Sequence, residues 1–489
     1  MTFNSFQYFI FLPVVFVVFC FTKDRYRWFV LLLSSYIFYG YILKPILLIV
    51  LTIVIIGTFI IGKLIDECED NFKKRLFLWI GVCFNIGLLM YFKYVPFITQ
   101  NLNLLLQSIG IKFSLDKPDA IVSIGLSFYI FQAISYLADI YFRMIKPEPH
   151  FGYLSLYLAF FPKLLQGPIE RAADLIPQLK AKYKFDYDNM RFGMLLFTIG
   201  LFKKVVIADR LGMAVDLVYN NLHAFTGLPL LLATYAYAFQ IFMDFSGYTD
   251  MALGSALLFN INLTQNFNNP FLATSVADFW RRWHISLSRW ILDYLFEPLQ
   301  ILLRSMGKFG TALALMAAFI LAGVWHGANW TFVAFGLIHG VYLASSFIYK
   351  PYQKKIYKAL NIKKNIFLKA WQFFIIFNLM CLAWVFFRSP NIDDALYVVT
   401  HIFIGLENYI SYSGVKKSIY GIGFLGSYLR GMIALGLLWL LPLILGHNII
   451  DAMSKADSLW FRWFSYYILI ISILVFGVFN NSQFIYFKF

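Results

Sequence analysis

The chain has 489 residues, of which 61% are hydrophobic and only 13% are charged. A soluble domain contains about 45–50% apolar and about 25% charged residues, so this composition excludes an ordinary soluble fold. It is typical of a chain whose side chains face lipid rather than water. The formal net charge of +16 comes from basic residues in short loops between apolar runs. That pattern orients membrane helices, and it indicates a lipid bilayer as the partner and no nucleic acid.

Apolar runs recur along the whole chain and are separated by short polar loops. A transmembrane helix needs about 20 apolar residues. The sequence therefore predicts an all-α polytopic membrane protein with about 11–13 transmembrane helices, together with re-entrant or interfacial helices. The candidate spans are 3–22, 27–43, 45–63, 76–98, 120–142, 190–207, 228–247, 311–326, 330–349, 370–388, 431–446 and 463–480.

Clusters of lysine and arginine between the spans predict the orientation of the chain. All of them lie in the cytoplasm if the N-terminus is extracytoplasmic, as the positive-inside rule requires. About twelve spans would then return the C-terminus to the outer side. Because no basic region precedes the first apolar stretch, we interpret it as a retained helix and not as a cleaved signal. The basic loops are Lys23–Arg27, Lys63–Arg75, Arg143–Arg191 and Lys350–Lys369.

Two stretches do not have the pattern of simple spans. In 151–180 the apolar part is short and interrupted by proline and glycine, which predicts a re-entrant or interfacial segment. The stretch 248–310 alternates aromatic residues with arginine, histidine and aspartate. Because such polar residues are costly on a lipid-facing helix, this stretch is predicted to be buried in protein or to line a water-filled cavity. We find no soluble insertion, so residues 1–489 are expected to form a single membrane-embedded domain with an aromatic tail at 480–489.

The first chemically suggestive cluster is the sequence FWRRWHIS, which begins at Phe279. On a helix, Trp280, Trp283 and His284 share one face because residues three and four apart are neighbours. The arginines around them project at other angles, and guanidinium groups bind phosphate well. The alternative interpretation is an interfacial amphipathic helix whose arginines reach toward the headgroups.

The second cluster, AGVWHGANW, lies within an apolar run and contains His326. Histidine is the side chain whose ordinary pKa allows it to accept a proton near neutral pH. A structural histidine, hydrogen-bonded in a core, is the alternative. The presence of His339 further along the same apolar run makes that alternative weaker, because ionisable groups at membrane depth are costly and indicate function.

Two further features are less specific. Asp244 and Asp250 lie at the end of a long apolar run, where they are better explained as caps or hydrogen-bond anchors than as catalytic groups. The sequence ends in the aromatic string FIYFKF, which contains Tyr486 and is either a functional motif or an aromatic membrane anchor. The cysteines are scattered without the spacing of metal ligands, so no metal site is predicted.

Taken together, these motifs resemble the membrane-bound O-acyltransferase (MBOAT) superfamily, in particular its bacterial alginate and peptidoglycan O-acetylation branch. The resemblance covers most of the chain, and its motifs occur in the family's order. The matching stretches are 158–179, 242–271, 279–299, 323–340 and 484–489.

The resemblance implies a ring of helices around a thin core, with a funnel open to the cytoplasm. It implies an acyltransferase that uses acetyl-CoA as donor and holds no bound cofactor. By this resemblance His326 matches the family's invariant histidine and His284 its second active-site position. The residues expected to bind substrate or coenzyme A are Arg281, Arg282, Arg289, Trp283, Trp325 and His339.

The aromatic tail implies a relay in which Tyr486 carries the acetyl group outward. An extracytoplasmic partner resembling a serine esterase would then transfer it to a polysaccharide, either peptidoglycan or an alginate-like exopolysaccharide. The expected location is the bacterial cytoplasmic (inner) membrane. D-alanyl transfer to teichoic acid is the alternative reaction, and a multi-span transporter or flippase is the alternative class. A transporter would usually show paired halves with broken helices, and the sequence shows none.

Overall fold

The computed structural model describes residues 1–42, 46–111, 113–116, 124–360, 365–405, 407–423, 453, 458–479 and 484–485. Within these ranges every regular element is a helix, which confirms the predicted all-α class. Seven of the helices are long and apolar enough to cross a membrane. The predicted span 431–446 lies outside the described residues.

The helices are, in chain order, α1 Phe6–Phe21, α2 Asp24–Ile42, α3 Ile46–Glu67, α4 Asn71–Leu89, α5 Val95–Ser108, α6 Leu126–Tyr141, α7 Phe151–Ala159, α8 Ala172–Lys180, α9 Tyr187–Phe202, α10 Asp209–Tyr219, α11 Leu228–Leu257, α12 Val276–Trp280, α13 Ile285–Ile291, α14 Glu297–Leu302, α15 Gly307–His326, α16 Trp330–Ala359, α17 Ile366–Arg388, α18 Ile392–His401, α19 Glu407–Ile410, α20 Tyr412–Gly421 and α21 Leu459–Phe476.

Most predicted spans coincide with a helix, and the differences occur where polar residues interrupt an apolar run. Helix α11 continues ten residues beyond the predicted end at 247, because the polar residues Ser246 and Thr249 are buried and do not face lipid. Helix α16 likewise extends past 349 to Ala359 as a polar, exposed continuation. A π-helical turn, Met90–Tyr94, joins α4 to α5.

The described residues divide into two compact units. The first consists of 1–197 and 248–265. Its interior is rich in aromatic side chains and contains buried hydrogen bonds between side chains: the Tyr8 hydroxyl donates to Ser255 Oγ at 2.8 Å. The second unit consists of 198–247 and 266–485.

The stretch 151–180, which the sequence set apart from the spans, contains two nine-residue helices, α7 and α8. Helices of this length reach about 14 Å, less than half the hydrocarbon thickness. The irregular segment between them is buried and its main chain finds partners within the protein. The Phe161 N–H donates to Ser35 Oγ at 3.0 Å, and Tyr157 donates to the Glu170 carbonyl at 2.9 Å. Buried irregular backbone is tolerated at membrane depth only when it is satisfied in this way.

A buried lysine and glutamate brace this segment within the first unit. Lys163 donates to Gln132, while Glu170 accepts from the Thr264 N–H and hydroxyl at 2.6 and 2.9 Å. Burial lowers the pKa of Lys163 and raises that of Glu170, because both charged forms lose hydration. No sequence motif indicated this pair, because the partners of Lys163 and Glu170, namely Gln132 and Thr264, come from distant parts of the chain.

In the second unit, α15 and α16 form a tightly packed helical hairpin. Glycines on both helices make the close approach possible: a Cβ at Gly323 would lie 2.3 Å from the Phe332 carbonyl oxygen, and one at Gly336 would lie 2.5 Å from the Phe319 carbonyl oxygen. Small residues let backbones approach in this way within membranes. The hairpin places the turn that follows His326 directly against the start of α16.

Candidate active site

His284 lies at a sharp turn between α12 and α13, not on a continuous helix as the sequence suggested. Its backbone adopts the left-handed conformation, with φ of 43°, which is uncommon for a residue other than glycine or asparagine. Asn266 fixes the turn. Its carbonyl accepts the Ile285 N–H at 3.0 Å, and its side-chain oxygen accepts the Ser286 N–H and hydroxyl at 3.1 and 2.7 Å. The prediction that Trp280, Trp283 and His284 share one helical face is therefore wrong, because α12 ends at Trp280.

The buried histidines are connected by a series of aromatic rings in the second unit. His284 packs edge-on against Phe245, with ring centroids 4.7 Å apart, and its centroid is 6.2 Å from that of Trp325. Trp325 contacts His326 at 4.9 Å. His326 is in turn 5.7 Å from Phe335. Burial lowers the pKa of His284, which lies outside the membrane-spanning helices, to about 3. Its imidazole is therefore neutral at physiological pH.

His339 lies at the other end of this series. Its ring is 4.5 Å from Phe335, and its Nδ1 accepts a hydrogen bond of 3.4 Å from Trp280 Nε1. The three candidate histidines are all buried. The structure thus brings His284, His326 and His339 into one aromatic environment, although they come from three different segments.

Trp283 belongs to an aromatic stack beside the histidines. Its ring is nearly parallel to Phe279 at 5.5 Å and lies 5.1 Å from Trp384 on α17. Both tryptophans are buried. This packing fixes the segment before His284, so Trp283 has a structural environment in addition to its predicted contact with substrate.

The three arginines have different environments. Arg281 and Arg289 are exposed and line a cavity of about 430 Å³ that has an apolar floor formed by α15 residues. Trp280 forms another wall of this cavity. Arg282 instead pairs with Asp278 on α12, with Nε and Oδ1 3.0 Å apart. The predicted phosphate-binding role therefore fits Arg281 and Arg289 better than Arg282, whose guanidinium has an internal partner.

A second group of charged residues was missed as a group by the sequence analysis. Asp244, considered there as an anchor, forms a buried ion pair with Lys204 at 2.7 Å. Asp209 is 2.8 Å from the same ammonium. A lysine in an otherwise apolar stretch is the signal that could have indicated this cluster. Tyr486 lies outside the described residues, whereas the preceding Phe484 and Ile485 are buried.

Within the described ranges, no group of three histidine, cysteine, aspartate or glutamate side chains is placed to hold a metal ion. The arrangement instead offers imidazoles beside a pocket of a size that suits a small organic ligand. Together, the fold and site define a polytopic membrane protein with a buried histidine centre.

The family model for MBOAT, the membrane-bound O-acyltransferase family, matches residues 125–387. The chain belongs to this family and is a multi-pass membrane acyltransferase, as the sequence motifs predicted. The transporter alternative is therefore not supported. All three histidines and the arginine-lined cavity lie within the matched region.

Curated relatives are similar over most of the chain. A peptidoglycan O-acetyltransferase from Helicobacter pylori is 35% identical over 76% of this chain and 72% of the relative. A probable alginate O-acetylase AlgI from Azotobacter vinelandii is 34% identical over 79% of this chain and 74% of the relative. A teichoic acid D-alanyltransferase from Bacillus subtilis is 29% identical over 56% of this chain and 70% of the relative.

Proposed function

We propose that this protein takes an acetyl group from cytoplasmic acetyl-CoA and passes it across the membrane for O-acetylation of an extracytoplasmic polysaccharide. The similarity to peptidoglycan and alginate O-acetylating proteins over about three quarters of the chain carries this proposal. The buried histidine centre supports it, because transfer from a thioester to a hydroxyl requires a base and a site that excludes water.

His326 is the proposed general base. It removes the proton from the attacking hydroxyl while the hydroxyl oxygen bonds to the thioester carbonyl carbon. The tetrahedral intermediate then collapses, the carbon–sulfur bond breaks, and the coenzyme A sulfur leaves and receives the proton. His326 suits this role because it is the last residue of α15, where the helix stops and Gly327 continues in extended backbone.

His284 is the proposed second active-site residue. Its neutral imidazole can donate a hydrogen bond to the carbonyl oxygen as negative charge develops there, or orient the attacking hydroxyl. The hydrogen bonds that the Asn266 side chain accepts from Ser286 hold the turn that carries His284. Asn266 is thus a positioning residue, which acts through the backbone of His284.

The cavity beside α12 and α13 is the proposed site for part of coenzyme A. Arg281 and Arg289 supply guanidinium groups for its phosphates. The apolar wall formed by Trp280, Phe319 and Leu343 suits the uncharged arm. Trp280 also contacts His339, which links this cavity to the histidine centre.

Tyr486 is the proposed carrier of the acetyl group, because it supplies the hydroxyl of the motif FIYFKF at 484–489. An extracytoplasmic partner with a serine-esterase-like domain would then transfer the acetyl group to the glycan. The proposed location is the bacterial cytoplasmic membrane. The similarity to a peptidoglycan O-acetyltransferase and to a probable alginate O-acetylase supports peptidoglycan or an alginate-like polysaccharide as the acceptor.

The test is the ester-linked acetate on the cell-surface glycans of wild-type cells and of cells carrying His326→Ala at matched membrane levels. Loss of a general base should reduce transfer by about 10²–10⁴-fold. His223→Ala is the matched control because that side chain is 76% exposed and is not among the residues assigned to the reaction; acetate in these cells should equal that of wild type. The glycan that loses acetate identifies the acceptor.

Unchanged acetate in a correctly inserted His326→Ala protein would contradict acetyl transfer. The similarity to teichoic acid D-alanyltransferases makes D-alanine the second candidate, so D-alanyl esters should be measured on the same samples. Loss of D-alanine with normal acetate would establish that alternative.

A further inference from the structure

A buried ionic cluster in the second unit has no role in the chemistry proposed above. Lys204 lies 2.8 Å from Asp209 and 2.7 Å from Asp244, and the three side chains are only 1%, 6% and 2% exposed. Charged groups at this depth are costly to bury and are usually kept for a function.

The local backbone explains how the cluster forms. Between α9 and α10 the chain makes a π-helical turn, Lys203–Ala208, a distortion that is frequent at functional sites. Helix α11 approaches this turn at Gly247, where a Cβ would lie 2.7 Å from the Gly200 carbonyl oxygen and 3.3 Å from the Lys204 nitrogen. Any larger residue would push α11 away. Glycine therefore allows Asp244, one turn earlier on α11, to reach Lys204.

The same cluster binds residues near the end of the sequence. Asp244 uses its second carboxylate oxygen, Oδ2, to accept the Ile485 N–H at 2.8 Å. The Lys204 ammonium lies over the Phe484 ring, 4.4 Å from its centroid, which is a favourable cation–π distance. Phe484 is fully buried and Ile485 nearly so. One carboxylate thus compensates the lysine and also holds the backbone of the segment.

The π-helical turn and the start of α10 make two more hydrogen bonds with the end of α21 and the residues after it. The Val205 carbonyl accepts the Val478 N–H at 2.9 Å. Arg210 Nε donates to the Phe476 carbonyl at 2.6 Å. Two described stretches, 476–478 and 484–485, therefore both contact the short region 203–210.

We propose that Lys204, Asp209 and Asp244 form a docking site for the Phe484–Ile485 segment, and that Lys204 and Asp244 are positioning residues for the acyl relay. The relay itself rests on the function proposed above; the docking does not. The site recognises an aromatic ring through the ammonium and a main-chain N–H through the carboxylate. It fixes the residue that directly precedes Tyr486 in the sequence.

The docking is tested by the reactivity of a thiol introduced by Ile485→Cys, after the native cysteines have been replaced by alanine. With the cluster intact, this thiol should be protected from a maleimide in purified full-length protein. Asp244→Asn should raise the labelling rate by about tenfold to a hundredfold, the effect of weakening a hydrogen bond to a charged group. Lys204 keeps Asp209 as a compensating partner in this variant.

Asp216→Asn is the matched control, because it breaks another ion pair of the second unit, with Arg388 at 2.7 Å, and should leave labelling unchanged. Phe484→Leu is a second test that leaves all three charges in place, and it should also raise labelling. Elution of each variant as a single species in detergent verifies folding. Equal labelling rates in wild type, Asp244→Asn and Phe484→Leu would overturn the docking site.

The acetate measurement separates this inference from the proposed function. If the docking positions the relay, Asp244→Asn should reduce glycan acetate as well as expose the thiol. Faster labelling with normal acetate would support the docking and contradict the positioning role of Asp244 in the relay. Loss of acetate without faster labelling would overturn the docking, but it would not count against the proposed acetyltransferase function.

Discussion

His284 occupies the left-handed backbone conformation, which few residues other than glycine adopt. A left-handed non-glycine residue costs about 1–3 kcal/mol, and here the hydrogen bonds that Asn266 accepts from Ile285 and Ser286 offset that cost. The main chain is also held two residues before His284, where the Arg282 carbonyl accepts a hydrogen bond of 2.9 Å from the Asn268 N–H. The position of the imidazole therefore depends on the sequence NFNNP as much as on the motif that contains it.

We expect Asn266→Ala to destabilise the protein and to reduce acetyl transfer, because it removes the acceptor of two buried donors on Ser286. Leaving a buried donor unsatisfied costs about 1–3 kcal/mol. Thermal unfolding in detergent and glycan acetate measure the two effects. Ser286→Ala removes only the hydroxyl contact and should have a smaller effect on both. An Asn266→Ala protein with wild-type stability and activity would contradict the positioning role.

At the scale of elements, contacts between backbones decide where the helices lie. The α15–α16 hairpin packs through Gly323, Gly336 and Gly340, where a Cβ would come within 3 Å of the opposing main chain. In lipid there is no hydrophobic driving force between helices, because lipid tails are as apolar as the side chains. Close van der Waals packing of small residues therefore holds such helices together. Because His326 ends one helix of the hairpin and His339 lies on the other, this packing also sets the spacing of the histidines.

Gly323→Ala should lower the free energy of unfolding by about 1–3 kcal/mol, the usual cost of overpacking a core. Its Cβ would lie 2.3 Å from the Phe332 carbonyl oxygen. Gly87→Ala is the matched control, since nothing lies within 4 Å of a Cβ at that position, and alanine is the better helix former. Thermal unfolding of both variants in the same detergent checks the prediction. Similar melting temperatures would mean that the hairpin is not held by close glycine contact.

At the scale of the whole molecule, the distribution of charge predicts which ends of the helices face the cytoplasm. The loop between α3 and α4 belongs to one of the basic clusters and contains Cys68, a free and partly exposed thiol. This native cysteine is a reporter of orientation. The described residues contain no disulfide that would mask it.

In intact spheroplasts, Cys68 should react with a membrane-permeant maleimide and resist an impermeant one, because the positive-inside rule places its loop in the cytoplasm. A thiol introduced by Asn221→Cys, in the loop before α11, is predicted to face outward and should react with both reagents. The other native cysteines are replaced by alanine in each case. Reaction of Cys68 with the impermeant reagent would reverse the predicted orientation.

The sequence by itself determined the class of the protein, most of its spans and its family. These properties depend on local composition and on short motifs, and both are readable along the chain: apolar runs of sufficient length must be helical in lipid. It also identified His284, His326 and His339 individually. The proposed roles of these residues, and that of Tyr486, remain predictions for the experiments above.

Only the tertiary structure decided which residues meet. The turn at His284 replaced the predicted helix because its hydrogen bonds go to Asn266, which lies outside the motif. Trp280 and His339 are 59 residues apart in sequence, and Asp244 and Ile485 are 241 apart. The hydrophobic periodicity of the sequence does not predict such contacts. They depend on how closely helices approach at glycines and on which buried charged side chains pair in the folded protein.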